Sequence, residues 1–143
     1  MLTQFSRTEL LLGKDGVEKL KKSSVAVFGV GGVGSYIAEG LVRSGIGKIT
    51  LVDNDTVNIT NINRQLIALH STMDRLKVDA ARERLLDINP KLKIQTYDCF
   101  YTGSEVELYG FEPAVTPSTN VGELEPKPWT AFSVASLKSS SNL

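Results

Sequence analysis

Gly29, Gly31 and Gly34, with Gly32 as a fourth, follow the apolar run Val25-Ala26-Val27-Phe28. Glycines at this spacing, after a strand and before a helix, suit a phosphate. The first permits a tight turn, the second lets the backbone approach the anion, and the third lets helix and strand pack closely. The helix that follows aims its free N–H groups and positive dipole end at the same anion. Asp53 lies 19 residues past Gly34, at the end of the next apolar run. A carboxylate at that distance accepts hydrogen bonds from a ribose. These residues suit NAD and ATP alike, since both carry linked phosphates and a ribose.

The polar segment from Asp53 to Gln65, "DNDTVNITNINRQ", and Lys77 beyond it bear on that choice. Backbone N–H groups serve most of the charge of NAD. In an ATP-consuming acyl adenylation a carboxylate attacks the α-phosphate and pyrophosphate leaves with added negative charge, which Arg and Lys stabilise. Arg64 and Lys77 are cations suited to that task. By spacing alone they read as two solvated surface charges.

The elements that would hold these residues follow from periodicity. Residues 25–28 predict a strand buried on both faces. Val33, Ile37 and Leu41, with Ala38 and Val42 beside them, predict a helix with one apolar face. Glu39 and Arg43 are expected as an ion pair on its wet side, and Gly45 as its C-terminal cap. "KITLVD", residues 48–53, is the next strand, completing a βαβ unit. Ser71 or Thr72 is expected to cap a third helix carrying Val78, Ala81, Leu85 and Ile88, ended by Asn89-Pro90. "KLKIQTYD", residues 91–98, predicts another strand. Upstream, Asp15 is expected to cap a short helix through Leu20. The fold class is therefore α/β, a Rossmann-like parallel sheet with flanking helices.

Composition sets the outer limits. A chain of 143 residues with 41% apolar and 22% charged residues has room for one core. Its net charge of zero points to neither nucleic acid nor membrane. Cys99 is the single cysteine and His70 the single histidine, which excludes a His/Cys metal cluster. One cysteine, no basic region followed by an apolar run at the start and no apolar run of bilayer length lead to the expectation of a cytoplasmic protein. Four of the five prolines lie between Pro113 and Pro128. We expect a partial nucleotide-binding domain over 1–110 and an irregular, poorly ordered tail over 111–143.

"GVGGVGS", "LVDNDTVNITNINRQ" and Lys77 resemble the adenylating superfamily that holds ubiquitin-activating enzymes and the molybdopterin- and thiamine-pathway adenylyltransferases. Within it, "FSRTELLLGKDGVEKL", "TNINRQ" and "INPK" are most similar to the tRNA threonylcarbamoyladenosine dehydratases. The resemblance covers roughly residues 5–102. It implies ATP-dependent activation of the carboxyl group of a threonylcarbamoyl-modified adenosine in tRNA, followed by cyclisation. It implies that Gly29, Gly31, Gly32 and Gly34 line the phosphates and that Asp53 holds the ribose. Asn61, Arg64 and Lys77 would contact the triphosphate, with Gln65 beside them and Asp55 in support. Arg7 would reach the nucleotide of a second copy, implying a homodimer.

The resemblance also implies Mg²⁺, held by an aspartate that the family carries beyond "FYT", yet this sequence has no Asp after Asp98. On this likeness the chain looks like the front portion of such an enzyme, its sheet cut short after about the third strand, joined to an unrelated tail. Two other functions follow from the same residues: a nucleotide-binding remnant without catalysis, and an adenylyltransferase acting on a ubiquitin-like sulfur-carrier protein. An NAD-dependent oxidoreductase is a third.

Overall fold

The computed structural model describes residues 2–100, 112–113 and 133–137. Helix α1 (Ser6–Lys22) leads to strand β1 (Ser24–Phe28), helix α2 (Gly34–Ser44) and strand β2 (Lys48–Val52). Two short 3₁₀ turns, Ile59–Asn61 and His70–Thr72, precede helix α3 (Lys77–Ile88) and strand β3 (Lys93–Tyr97). β1 pairs parallel with β2, from Ser24 opposite Lys48 to Phe28 opposite Val52, and β2 pairs parallel with β3. Three parallel strands joined by helices are the Rossmann-like arrangement that the periodicity predicts.

α2 and α3 touch each other, so both crossovers cover the same sheet face. Val27, Ile49 and Leu51 from the strands meet Ala38 and Val42 from α2 and Val78, Ala81 and Leu85 from α3. Ile49 and Leu51 are fully buried, and each such side chain contributes about 1.5–3 kcal/mol. Ile37, Leu41 and Ile88 pack at the edge of this cluster. Val33, expected on the apolar face of α2, is exposed, because it is the N-cap residue rather than part of the helix body. Gly45 closes α2 in the left-handed region, as expected, its N–H bonded to Leu41 and Val42 carbonyls.

Several local expectations need correcting. α1 begins at Ser6 and bends at Gly13, where φ is 71°, so its first half lies upstream of the expected Asp15 start. Three consecutive leucines at 10–12, all exposed, hide any helical period there. α3 begins at Lys77 with no side-chain cap. The Thr72 hydroxyl instead closes its own turn, donating to the carbonyls of Ile67 and Leu69 and accepting from Leu69 N–H. Glu39 does not face water. α3 lies against α2, and Arg84 from α3 joins Arg43 in clasping the Glu39 carboxylate at 2.5 and 2.8 Å.

On its other edge β1 pairs antiparallel with a strand β5 (Ser133–Leu137), which in turn pairs with β4 (Glu112–Pro113). The sheet order is β3-β2-β1-β5-β4. Where an irregular tail is expected, these seven residues are strands: the edge of β1 left open by β2 offers unpaired backbone groups, which a passing segment of chain can satisfy. The rest of the expected tail lies outside the described residues.

Candidate nucleotide-binding site

β1 delivers the chain to Gly29, whose φ of 86° only glycine adopts readily. Its N–H bonds the carbonyl of Val52, so the turn is fastened to the end of β2. Asp53, one residue on, completes the fastening. Its Oδ2 accepts the Val30 N–H at 2.6 Å, and its Oδ1 accepts the Asp55 N–H at 2.9 Å. One carboxylate thus ties the glycine turn to the start of the polar segment.

α2 opens with Val33 at its N-cap and no side-chain cap. No side chain closes this end, where the Gly31 carbonyl takes the Ser35 N–H at 3.1 Å, and a helix N-terminus of this kind suits an anion. Across from this end lies the segment after the first 3₁₀ turn. A Cβ built on Gly32 would stand 3.4 Å from Arg64 Cγ, and one on Gly31 would stand 3.8 Å from Gln65 Nε2. Gly31 and Gly32 are thus the face of the turn that meets Arg64 and Gln65.

Asn58 and Asn61 shape the segment by capping the 3₁₀ turn reciprocally. Asn58 accepts the Thr60 N–H at 3.0 Å, and Asn61 Oδ1 accepts the Asn58 N–H at 2.9 Å. Asn61 is buried. Arg64 is exposed, its Nη1 donating to the Thr60 carbonyl and to Asn63 Oδ1, both at 3.0 Å. Neither acceptor carries charge, and no ion pair forms on Arg64 among the described residues. Gln65 is 6% exposed, and its buried Oε1 has no hydrogen-bond partner. An orphaned buried acceptor costs about 1–3 kcal/mol unless a donor arrives.

Lys77 is not the solvated charge its spacing suggests. Its side chain is 7% exposed, and its ammonium bonds Asp55 Oδ2 at 2.7 Å, while Asp55 itself is 61% exposed. The backbone repeats the link, Lys77 N–H donating to the Asp55 carbonyl at 3.0 Å. Asp55, expected only in support, is therefore the counterion of the buried lysine.

The structure gathers Gly29, Gly31, Gly32, Gly34, Asp53, Arg64 and Gln65 at the carboxyl end of β1 and β2, with Asn61 shaping the turn that carries Arg64. Lys77 joins them through Asp55, two residues from Asp53. Arg7 is not brought there. The Phe5 ring packs on Gly45 at the far end of α2, and the eleven residues of α2 put about 16 Å between its ends. Sequence reasoning missed one residue of the cluster, Ser35. It is 2% exposed, and its hydroxyl joins the glycine turn to Leu66. Its position directly after the last glycine is the signal that marks it. Among the described residues no group of His, Cys, Asp and Glu is placed to hold a metal ion. Likewise, no helix among them is long and apolar enough to cross a membrane.

The fold and the turn define a Rossmann-like protein with a glycine loop at the carboxyl edge of its parallel strands. Residues 5–111 match the ThiF family, and the chain belongs to that family. The match runs nine residues past Thr102, where the resemblance by motif ends, so the family likeness reaches further than the motifs alone indicate.

Among its relatives, the tRNA threonylcarbamoyladenosine dehydratase of Bacillus subtilis is 52% identical over 124 residues, 85% of this chain and 49% of that protein. The Escherichia coli enzyme of the same name is 40% identical over 106 residues, 74% of this chain and 40% of that protein. The structure of E. coli tRNA N6-threonylcarbamoyladenosine dehydratase, TcdA, in complex with ATP superposes with a TM-score of 0.73 at 39% identity, covering 75% of this chain and 44% of that one. The chain spans less than half the length of these relatives.

Proposed function

We propose that this chain binds ATP and carries the nucleotide half of a site that activates the carboxyl group of threonylcarbamoyladenosine in tRNA, leading to its cyclisation. The observation that carries the proposal is the joint placement of a helix end without a side-chain cap, an arginine with no carboxylate partner among the described residues, and a buried lysine linked to the glycine turn through Asp55 and Asp53. The 52% identity to a tRNA threonylcarbamoyladenosine dehydratase supports the choice of substrate.

The residues present fit ATP. The turn and the first N–H groups of α2 meet the phosphates, Asp53 meets the ribose, and Asn61 and Gln65 border the phosphates. ATP supplies the adenylyl group and takes away the departing charge as pyrophosphate. Arg64 and Lys77 stabilise that charge as it develops, each worth about 3 kcal/mol of barrier in a site of this type. The described residues do not fit a Mg²⁺ site, because no group of three or more His, Cys, Asp and Glu side chains comes together among them.

Arg7, exposed and far from its own chain's turn, is proposed to serve the nucleotide of a second copy in a homodimer. The whole reading is tested by incubating the protein with ATP, Mg²⁺ and threonylcarbamoyl-modified tRNA. AMP released only with the modified tRNA supports it. Pyrophosphate released instead with a ubiquitin-like carrier protein, AMP staying on its C-terminus as an acyl adenylate, would redirect the substrate, and ATP binding without release of AMP or pyrophosphate would leave a nucleotide-binding unit that does not catalyse.

A further inference from the structure

The geometry points to Ser35 as a positioning residue that sets the two phosphate-binding parts of the site relative to each other. This rests on the reading of the glycine turn as an ATP site. Ser35 is buried, the second residue of α2, and its hydroxyl is used twice. It donates to the Gly31 carbonyl at 2.6 Å, and it accepts the Leu66 N–H at 3.2 Å. The Gly31 carbonyl also accepts the Ser35 backbone N–H at 3.1 Å.

Two consequences follow from these bonds. In a trans peptide the C=O and the next N–H point in opposite directions within one plane. Drawing the Gly31 carbonyl back into the helix therefore turns the Gly32 N–H outward, off the helix end, toward an incoming anion. The bond from Leu66 fixes the other component. Leu66 is two residues from Arg64, whose side chain lies against Gly32. A single hydroxyl thus aims a backbone donor and anchors the segment that bears the guanidinium. Both donors address phosphate, and neither addresses the adenosine.

The test is a set of binding titrations on the full chain. In Ser35→Ala, affinity for ATP and for inorganic tripolyphosphate is expected to fall about tenfold, the worth of one well-placed hydrogen bond. Affinity for adenosine is expected to stay unchanged. Combined with Arg64→Ala, the loss should be smaller than the product of the two single losses, because Ser35 acts partly through Arg64. Ser35→Cys, which keeps the shape with a weaker donor, should fall between wild type and Ser35→Ala, and it serves if the alanine variant does not fold.

Unchanged ATP affinity in a folded Ser35 variant overturns the positioning role. So does an equal loss for ATP and adenosine, which a merely structural serine would give, or losses that multiply fully with Arg64→Ala. If the unaltered chain binds neither ATP nor tripolyphosphate, the nucleotide reading itself falls, and the role of Ser35 with it.

Discussion

Glu39 and Lys77 are both charged side chains taken out of water, and the protein treats them differently. Glu39, 11% exposed, is held by Arg84 and Arg43 from two helices. Its charge is answered from both sides, so it seams α2 to α3 with nothing left for a ligand. Among the described residues Lys77 has one charged partner, Asp55, which stands mostly in solvent. A buried ammonium with a single replaceable counterion can exchange a carboxylate for a phosphate at little cost, whereas a saturated one cannot. Burial of charge thus serves cohesion at one place and readiness at the other.

The sharpest way to break that contrast is to remove each charge while keeping its shape. Lys77→Met retains the buried stem and leaves Asp55 in water. AMP formation is expected to fall about a hundredfold, with the urea unfolding midpoint nearly unmoved. Arg64→Ala is expected to act similarly on AMP formation. A large loss of stability in Lys77→Met would make the lysine a structural ion like Glu39. Next in size, Glu39→Gln removes the charge that two arginines share and should cost about 2 kcal/mol in urea unfolding, while ATP affinity holds. A fall in ATP affinity would tie the α2–α3 seam to the site.

The contrast also sets an acid limb. The Arg84 hydrogen bond, opposed by burial and helped by Arg43, holds the Glu39 carboxyl below the usual glutamate range. The folded state therefore releases this proton more readily than the unfolded chain does. The stability it contributes is fully present above the unfolded value and is lost as pH falls through the folded one. Melting temperature should decline through that acidic window in the wild type and more gently in Glu39→Gln. The smallest effect belongs to Arg75 and Glu83, an exposed pair at 2.5 Å. Glu83→Ala should change stability by less than about 0.5 kcal/mol.

The glycine turn, the βαβ crossover and the parallel pairing of its strands were legible because each rests on neighbours in sequence. "VAVFGVGGVG" is a local pattern, and β1, α2 and β2 follow within thirty residues. The hidden features depend on distant partners. The burial of Lys77 depends on Asp55, 22 residues earlier, and that of Glu39 on Arg84, 45 residues later. No window of helical length contains either pair, so both charges read as wet. The start of α3 is hidden for a related reason, since Thr72 has the composition of a cap but spends its hydroxyl on its own turn. Family likeness, rather than spacing, was what singled out Arg64 and Lys77.

The two bonds that Asp53 accepts reach beyond the turn they fasten. A carboxylate has about four lone-pair sites, and the Val30 and Asp55 N–H groups occupy one on each oxygen. Those two bonds belong to segments 25 residues apart, so Asp53 works as a pin through both. One substitution there would unfasten the glycine turn and the polar segment together.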